Sequence, residues 1–313
     1  MAGRNGEGMT IGILGLGKMG FRIAIKLHEE GHEVVVWNRT PEAVKNLRFK
    51  IKDLKGAETI KDLVQGLETP RVMWLMLPAG DATQSVLDEI SKYLRKGDIV
   101  IDGGNANFRD TQKRFENFQK SGIEFLGIGV SGGILAFENG YPLMVGGSRK
   151  AYEYIKPILD SLAKPNGGHE YFGEGGTGHF VKMVHNGIEY GIMQSLSEGF
   201  EVLEKSSYKF NLLKVAKIWQ KGTIISGFLL DRAVDALTQN PNLEGVVGVI
   251  EESGEARWTV EEAKKEGVEV DIIERSLEYR KRSQKDLKIQ ESFTAKMVAA
   301  LRNAFGGHEI KKI

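Results

Sequence analysis

The sequence predicts an α/β domain with a doubly wound parallel sheet, followed by an all-α domain. In the first half, short continuous apolar runs alternate with longer helix-like stretches, which is typical of parallel strands joined by helices and buried on both faces. From residue 179 onward helical periods dominate, and only one of the seven prolines, Pro241, lies beyond Pro165. We therefore predict two domains, at residues 1–176 and 177–313, with residues 1–8 as a disordered extension.

The individual elements follow from these patterns. The first helix, Phe21–Glu30, has apolar residues at Ile23, Ala24 and Leu27 and stops before Gly31, a residue typical of helix ends. The six predicted strands are Thr10–Leu14, Glu33–Trp37, Val72–Leu77, Asp98–Asp102, Glu124–Val130 and Pro142–Val145. The helical periods of the second half cover residues 179–205, 211–239, 243–252, 257–267, 271–284 and 287–304.

Composition excludes several function classes. The chain has 313 residues, 43 Lys and Arg against 42 Asp and Glu, and no cysteine. The near-zero net charge gives no electrostatic reason to expect nucleic acid or a membrane as a partner. Without cysteine there are no disulfides, thiol nucleophiles or thiolate metal sites. No apolar run approaches the ~20 residues of a membrane span and no signal peptide is recognisable, so we expect a cytoplasmic protein.

The first glycine cluster predicts a dinucleotide site. The segment GLGKMG follows the first strand and opens the first helix as G-x-G-x-x-G, with Gly15 for the tight turn, Gly17 for close approach of a pyrophosphate and Gly20 for helix–strand packing. Free N–H groups at the helix N-terminus would face the phosphates. The motif alone is weak, but its position at the first strand–helix junction favours a Rossmann-type domain over a plain turn.

The end of the second strand predicts the choice of nucleotide. An NAD site would carry Asp or Glu there for the ribose 2′-hydroxyl, whereas this chain has Asn38, Arg39 and Thr40. A guanidinium and a hydroxyl suit a 2′-phosphate, so we expect NADP in preference to NAD. The alternative is that Arg39 is an ordinary solvated loop residue.

Further loops end strands at the same edge of the predicted sheet. The segments 77–80 and 102–105 would complete a cofactor cleft, with Asn105 as a polar group, although either could be an ordinary turn. The segment 131–133, Ser-Gly-Gly, can direct successive N–H groups and a hydroxyl at an anion such as a carboxylate; the alternative is a flexible turn.

One helix face gathers an unusual set of polar residues. Lys182, His185, Asn186, Glu189 and Tyr190 recur at helical spacing, so they share a face, near the predicted domain junction. An ordinary solvated face would be richer in Glu, Lys, Gln and Arg, and clefts between domains often hold small molecules, so we predict an active-site helix. The remaining positions form an apolar face suited to burial: Val181, Met183, Val184, Gly187, Ile188, Gly191 and Ile192.

Together these motifs resemble a known family. GLGKMG, NRT, DGGN, SGGxxxAxxG and GTGHFVKMVHNGIEY, in this order, resemble the β-hydroxyacid dehydrogenase superfamily, and the narrower HNGIEY resembles its 6-phosphogluconate dehydrogenase branch. The likeness runs from Thr10 to the C-terminus, and the length resembles the short form, whose helical domain is not duplicated. It implies oxidative decarboxylation of 6-phosphogluconate to ribulose 5-phosphate and CO2 with reduction of NADP, in the pentose phosphate pathway and gluconate use.

The resemblance also implies a role for each motif. The pyrophosphate would be held by Gly15, Leu16, Gly17, Met19 and Gly20, and the adenosine end by Asn38, Arg39 and Thr40. Leu77, Pro78 and Ala79 would line the cofactor, and Asn105 would touch cofactor and substrate. Ser131, Gly132 and Gly133 would bind the sugar-acid carboxylate, His185 and Asn186 its hydroxyls, and Tyr190 and Arg280 its phosphate.

The C-terminal half contains one likeness and one departure. Arg302 and His308 resemble an Arg and a His that reach the partner subunit's substrate in the longer enzymes, which implies a homodimer or homotetramer whose tails complete the partner's site. The alternative for His308 is a helix cap with a frayed end. Those enzymes carry a phosphate-contacting Lys where this chain has Ser253, which puts phosphate binding there in doubt unless Arg257 compensates.

The residue types fit this chemistry. We expect burial to lower the pKa of Lys182, so that its neutral amine removes the C3 hydroxyl proton while hydride leaves for NADP. Protonated Lys182 would then polarise the 3-keto group during loss of CO2, with no metal required, and Glu189 would protonate C1 of the enediol. The alternatives are a dehydrogenase of small β-hydroxyacids without decarboxylation and a catalytically silent NADP-binding regulator.

Overall fold

The computed structural model describes residues 8–311, so residues 1–7 of the expected extension lie outside the described residues. The strands are β1 (Thr10–Leu14), β2 (Glu33–Trp37), β3 (Lys55–Gly56), β4 (Val72–Leu75), β5 (Ile99–Asp102), β6 (Glu124–Val130), β7 (Pro142–Gly147) and β8 (Gly168–Tyr171). They form one sheet in the order β3-β2-β1-β4-β5-β6-β7-β8. Neighbouring strands are parallel except β6 and β7, which pair antiparallel with Ile128 opposite Val145.

The helices of the first part cover both faces of this sheet. They are α1 (Lys18–Glu29), α2 (Pro41–Lys50), α3 (Ile60–Gln65), α4 (Asp81–Ser91), α5 (Phe108–Lys120), α6 (Ala136–Asn139) and α7 (Arg149–Ala163). Successive strand residues point to opposite faces: Ile11 and Ile13 belong to one apolar cluster, and Leu14 belongs to the other. Continuous apolar strands are therefore required, because each face packs on helices.

The remaining helices form the second part of the chain. They are α8 (Thr177–Lys205), α9 (Leu212–Trp219), α10 (Phe228–Gln239), α11 (Glu255–Glu266), α12 (Asp271–Ser283), α13 (Leu287–Glu291) and α14 (Phe293–Gly306). The largest apolar cluster here includes Phe200, Leu237 and Met297. The chain divides into two compact units between Lys182 and Met183, inside α8. The predicted domain boundary after residue 176 stays a prediction.

The predicted fold class, a doubly wound α/β sheet followed by helices, is confirmed. None of the helices within residues 8–311 is long and apolar enough to cross a membrane. The strand order reverses between β1 and β4, and ligands of such sheets bind outside the carboxyl ends of the strands at this point. The GLGKMG loop lies directly there, after β1.

Several predicted elements need correction. Strands β3 and β8 were not predicted, because one has two residues and the other, Gly-His-Glu-Tyr, has no continuous apolar run. The helical stretch 211–239 is two helices, interrupted where Gly222 and Gly227 adopt positive φ angles of 85° and 157°. The stretch 287–304 is divided at Ser292, whose side chain caps α14.

Residues 243–252 are not helical, contrary to the prediction. Their backbone groups find partners outside a helix: Gly248 N–H donates to the Gln290 carbonyl and Ile250 N–H to the Ser283 hydroxyl. A Cβ at Gly248 would lie 2.5 Å from the Cβ of Ala295, so this extended segment packs directly on α14. The apolar pattern is real, but tertiary contacts decide its conformation.

Candidate functional site

The glycine-rich loop has the geometry that its motif predicts. Gly15 has φ +101°, and a Cβ there would lie 2.5 Å from the Met76 carbonyl oxygen. A Cβ at Gly20 would overlap the Gly15 carbonyl, so loop and helix touch at this position. By contrast, no atom lies within 4 Å of a Cβ built on Gly17. The backbone at Gly17 therefore faces open space at the N-terminus of α1, which fits the approach of a pyrophosphate.

Asn38 has an internal role that the motif did not predict. Its Oδ1 accepts a 2.9 Å hydrogen bond from the Leu16 N–H, and its Nδ2 donates to the Thr40 carbonyl and hydroxyl oxygens at 3.1 and 2.9 Å. Asn38 thus ties the end of β2 to the glycine-rich loop. Arg39 and Thr40 are exposed, where the sequence expected them to meet the adenosine end.

The other predicted cofactor residues lie at the same edge. Leu77 is half-buried, Pro78 and Ala79 are exposed, and the Pro78 carbonyl accepts a 2.8 Å hydrogen bond from the Thr83 hydroxyl at the start of α4. Asn105 is exposed in the loop after β5. Met19 is partly buried and packs against the apolar cluster of the sheet, so its side chain anchors the glycine-rich loop to the core.

A buried polar network supports the 102–105 loop, and sequence reasoning missed it. Asp102 accepts hydrogen bonds from the Gly104 N–H at 3.1 Å and from Arg114 Nη1 at 2.8 Å, and both side chains of this ion pair are at least nine-tenths buried. Nearby, the Thr111 hydroxyl lies 2.7 Å from His179 Nδ1. Burial lowers the pKa of His179, which favours its neutral form. The sequence did contain one signal of this network: Arg114 stands beside the apolar Phe115 on the buried side of α5, and a buried arginine needs an acidic partner.

Lys182 and the Ser-Gly-Gly segment meet directly. The Lys182 Nζ donates a 3.1 Å hydrogen bond to the Ser131 Oγ, and Lys182 is only 7% exposed. Gly132 and Gly133 adopt left-handed φ angles of 87° and 57°, as a turn that displays backbone N–H groups requires. The sequence predicted these residues separately, and the fold brings them together.

Glycines bring α8 close to the sheet at this lysine. A Cβ at Gly129 of β6 would overlap the Lys182 Cβ, and a Cβ at Gly178 would overlap the carbonyls of Gly127 and Met144. The Gly-x-x-x-Lys spacing from Gly178 to Lys182 therefore has a packing cause: the absence of a side chain at Gly178 lets α8 approach β6 and β7 this closely.

The predicted polar face of α8 is largely buried, which the sequence did not indicate. Lys182, Asn186 and Tyr190 are buried, at i, i+4 and i+8, whereas Ile188 and Ile192 of the expected apolar face are 51% and 47% exposed. His185 and Glu189 are half-buried. Met183, Gly187 and Gly191 of the expected apolar face are buried as well, so both faces of α8 are partly covered.

Tyr190 stacks on one of two buried arginines of the helical unit. The Arg280 guanidinium carbon lies 3.2 Å from the centre of the Tyr190 ring, and both residues are at most 3% exposed. Arg302 is also buried, at 8% exposure. Burial lowers the pKa of Arg280 to about 10, and the positive charge of Arg302 adds to this effect, so Arg280 is still charged at neutral pH.

The C-terminal candidate residues lie in and just after α14. Arg302 lies on α14, in the same compact unit as Tyr190, and its role at the partner's site stays a prediction. His308 is exposed and its ring packs against Phe305. At position 253, where the longer enzymes carry a Lys, the Ser253 N–H donates to the Tyr190 hydroxyl at 3.4 Å. Arg257 forms an ion pair with Glu252.

No cluster of three or more His, Cys, Asp or Glu side chains suited to a metal ion occurs between residues 8 and 311.

Comparison with protein families identifies the NAD binding domain of 6-phosphogluconate dehydrogenase at residues 10–176. The C-terminal domain of 6-phosphogluconate dehydrogenase matches residues 178–288 and 201–313.

Individual proteins give the same relationship. The Bacillus subtilis (strain 168) protein YqeC, whose name offers 6-phosphogluconate dehydrogenase as a provisional assignment, is 40% identical over 304 residues, 97% of this chain and 100% of YqeC. An NAD(+)-dependent, decarboxylating 6-phosphogluconate dehydrogenase of Haloferax volcanii is 37% identical and covers 97% of this chain and 99% of its own. The solved structure of Plasmodium falciparum 6-phosphogluconate dehydrogenase superposes with a TM-score of 0.80 at 32% identity, covering 88% of this chain and 62% of that one.

Proposed function

The chain belongs to the 6-phosphogluconate dehydrogenase family, and we propose that it converts 6-phosphogluconate to ribulose 5-phosphate and CO2 with NADP as the oxidant. The observation that carries this proposal is the buried Lys182, hydrogen-bonded to Ser131, on a helix whose next two turns present His185, Asn186 and Glu189. A base, hydroxyl-binding groups and an acid thus follow one another along α8.

The glycine-rich loop would hold the coenzyme. The open space at Gly17 and the N–H groups of α1 fit the pyrophosphate, and Arg39 and Thr40 would receive a 2′-phosphate. No carboxylate stands at positions 38–40 to repel that phosphate, which supports NADP over NAD. Leu77, Pro78, Ala79 and Asn105 would line the rest of the site. When bound, NADP supplies the hydride acceptor.

Lys182 would exchange one proton at Nζ during the reaction. The neutral amine accepts the C3 hydroxyl proton as C3 is oxidised, and the resulting ammonium then donates a hydrogen bond to the 3-keto oxygen. This polarises the β-keto acid as its carboxylate leaves as CO2. Ser131, Gly132 and Gly133 would orient that carboxylate, and Glu189 would deliver a proton to C1 of the enediol.

The distal end of the substrate would meet the two arginines. Within residues 8–311, no group accepts a hydrogen bond from Nη2 of Arg280, although this atom is buried. A buried guanidinium with an unsatisfied donor suits a phosphate oxygen. We propose that Tyr190, Arg280 and Arg302 bind the phosphate without a contribution from position 253, and that His308 serves the same substrate.

We also propose a homo-oligomer that works in the cytoplasm. Ile188, Ile192 and Ile272 are 51%, 47% and 65% exposed, and a Cβ at Gly191 would lie 3.2 Å from Ile272, so these isoleucines form one apolar surface. Contiguous apolar surface on a folded chain favours association. Whether dimer or tetramer forms is a matter for sedimentation or light scattering.

The test is an assay of NADPH absorbance with 6-phosphogluconate, accompanied by measurement of CO2 and repeated with NAD. We expect equal amounts of NADPH and CO2, with ribulose 5-phosphate as the product. NADPH without CO2 on a short hydroxyacid would instead support a non-decarboxylating dehydrogenase. Tight NADP binding without turnover on any hydroxyacid would support a regulator.

A further inference from the structure

A buried carboxylate lies behind the substrate-facing residues of α8. Glu255, the first residue of α11, is only 2% exposed, and its Oε1 accepts a 3.0 Å hydrogen bond from Nδ2 of Asn186. The Oδ1 of Asn186 lies 2.9 Å from Nδ1 of His185. Carboxylate, amide and imidazole therefore form a continuous series that ends on His185.

The hydrogen-bonding capacity of each group determines the direction of this series. An ionised carboxylate only accepts hydrogen bonds, so the amide of Asn186 must turn its NH2 group toward Glu255. Its Oδ1 then faces His185, and because an amide oxygen also only accepts, Nδ1 of His185 must carry a hydrogen. In neutral His185, Nε2 is then the nitrogen with the lone pair.

Close packing between α8 and α11 holds Glu255 beside Asn186. Gly254 precedes it with φ +105°, a left-handed conformation that favours glycine. One turn further, the Thr259 hydroxyl donates to the Met183 carbonyl at 2.9 Å. A Cβ at Gly187 would lie 2.9 Å from the Thr259 side chain, so α8 and α11 approach closely beside Asn186.

A buried carboxylate needs compensation, and the helical unit provides it. The charges of Glu255 and Glu189 act on both Arg280 and Arg302 and raise the pKa of each against the larger lowering by burial. These two arginines lie on α12 and α14. The negative charge of Glu255 is thus opposed by cations while its Oε1 holds the Asn186 amide.

We propose that Glu255 is a positioning residue that orients the Asn186 amide and thereby holds neutral His185 in the Nδ1–H tautomer. The catalytic consequence rests on the proposed function: with its lone pair at Nε2, His185 accepts the hydrogen of a sugar-acid hydroxyl. The other tautomer would present an N–H at Nε2 and lose that bond. The tautomer itself is a property of the protein alone.

The direct test is the tautomer of His185 in the full-length protein labelled with 15N-histidine, read from two-bond 1H–15N correlations and assigned with His185→Gln. We expect the Nδ1–H form in the wild type and in Glu255→Gln, because the amide oxygen of Gln can still accept a hydrogen bond from Asn186. The control is Glu261→Gln, at an exposed position of α11, which should also keep the Nδ1–H form. Glu255→Met, of similar length without an acceptor, should lose the preference. An unchanged tautomer in Glu255→Met would overturn the proposal.

A second variant protects the test against misfolding. If Glu255→Met is not folded by circular dichroism, Asn186→Leu breaks the same series without altering α11, and retention of the Nδ1–H form there would equally overturn the proposal. Kinetics add an independent readout. For Glu255→Met we expect kcat/KM for 6-phosphogluconate to fall by about 10- to 100-fold with KM for NADP unchanged, and for Glu255→Gln by less than about 3-fold.

A purely structural role gives a different pattern. If Glu255 only stabilised the N-terminus of α11, the Gln and Met variants would lose stability and activity to similar extents, because both remove the charge. That result would contradict the proposal. A wild-type protein inactive on 6-phosphogluconate would refute the proposed function, while the tautomer measurement would still decide the role of Glu255.

Discussion

The Nζ of Lys182 and the Oγ of Ser131, 51 positions apart in the chain, are joined by a hydrogen bond of 3.1 Å. Ser131 follows β6, and Lys182 lies on α8 above Gly129 of the same strand. The lysine therefore reaches the strand end only because the helix packs on glycine. An amine, a hydroxyl and a turn with two left-handed glycines are brought to one place by backbone packing.

Replacing the lysine should abolish turnover and preserve coenzyme binding. For Lys182→Met we expect kcat to fall by about 10²- to 10⁴-fold, because general acid–base catalysis is lost while the buried methylenes are retained. The NADPH assay measures kcat, and fluorescence titration measures coenzyme affinity. Lys205→Met, at the exposed end of the same helix, is the matched control and should leave both unchanged. Near wild-type turnover in Lys182→Met would refute the assignment of the base.

The close packing of α8 on β6 makes Gly129 sensitive to the smallest side chain. Gly129→Ala would push its Cβ against that of Lys182, so we expect a loss of about 1–3 kcal/mol in the free energy of unfolding and a fall in kcat. In α8, a Cβ added by Gly199→Ala would meet no atom within 4 Å, so this control variant should gain about 0.5–1 kcal/mol in the free energy of unfolding. Urea unfolding of both variants checks this. Equal effects would show that the approach at Gly129 is not tight.

Coenzyme choice should depend on Arg39. We expect Arg39→Ala to raise KM for NADP by about 10- to 100-fold and to leave KM for NAD nearly unchanged, because only the 2′-phosphate needs the guanidinium. Lys45→Ala, an exposed cation on the following helix, controls for general electrostatics. A wild-type enzyme with higher kcat/KM for NAD would contradict the NADP preference.

The buried Asp102–Arg114 pair should be costly to break. Arg114→Met leaves the carboxylate of Asp102 buried without its cation, and we expect a loss of about 3–5 kcal/mol in the free energy of unfolding. Adding Asp102→Asn should restore part of that loss, since the buried charge is then removed. Denaturant titrations of Arg114→Met, Asp102→Asn and the double variant measure the coupling. A double variant less stable than the sum of its single changes would argue against this interpretation.

Stability should fall below pH 6.5 because of buried histidine. Burial lowers the pKa of His32, whose Nδ1 accepts from the Met9 N–H at 3.1 Å and whose Nε2 lies 2.9 Å from the Ser161 hydroxyl. The unfolded chain therefore binds a proton at higher pH than the folded chain. The stabilising contribution of His32 is complete above the unfolded pKa of about 6.5 and declines as pH falls toward the folded pKa, by about 1.4 kcal/mol for each pH unit that separates the two pKa values.

His32→Gln tests this pH dependence. The variant should be less stable at pH 8, where the neutral imidazole makes its two contacts, yet should lose less stability than the wild type between pH 7 and 5. Thermal unfolding across this range gives both quantities. Parallel curves for the two proteins would assign the acid sensitivity to another group, such as His179, which is also buried.

Much of the fold and half of the site could be predicted from the sequence. The strands β1, β2 and β6 have the predicted bounds because continuous apolar runs serve a sheet that is buried on both faces. The positive φ of Gly15 and the open space at Gly17 were likewise implied by the spacing of GLGKMG. In these cases the cause is local, since a period or a backbone conformation needs only neighbouring residues.

Other features depend on partners distant in the chain. Glu255 and Arg114 carry no motif, and their roles arise because Asn186 and Asp102, 69 and 12 positions away, come within hydrogen-bonding distance. The buried side of α8 was likewise decided by tertiary packing, which covers Asn186 and Tyr190 and exposes Ile188. Periodicity shows that a helix has two faces, but only the complementary surface determines which face is covered.

The sequence by itself therefore determined the fold class, the glycine-rich loop and the polar face of α8. Only the tertiary structure decided that Lys182 donates a hydrogen bond to Ser131, that the Leu16 N–H donates to Asn38 and that Asn186 donates to Glu255. The physical reason is that a hydrogen bond depends on ångström-scale distances between atoms, and those distances are set by how helices pack on strands. A sequence pattern identifies the candidate groups, and tertiary packing determines which of them come into contact.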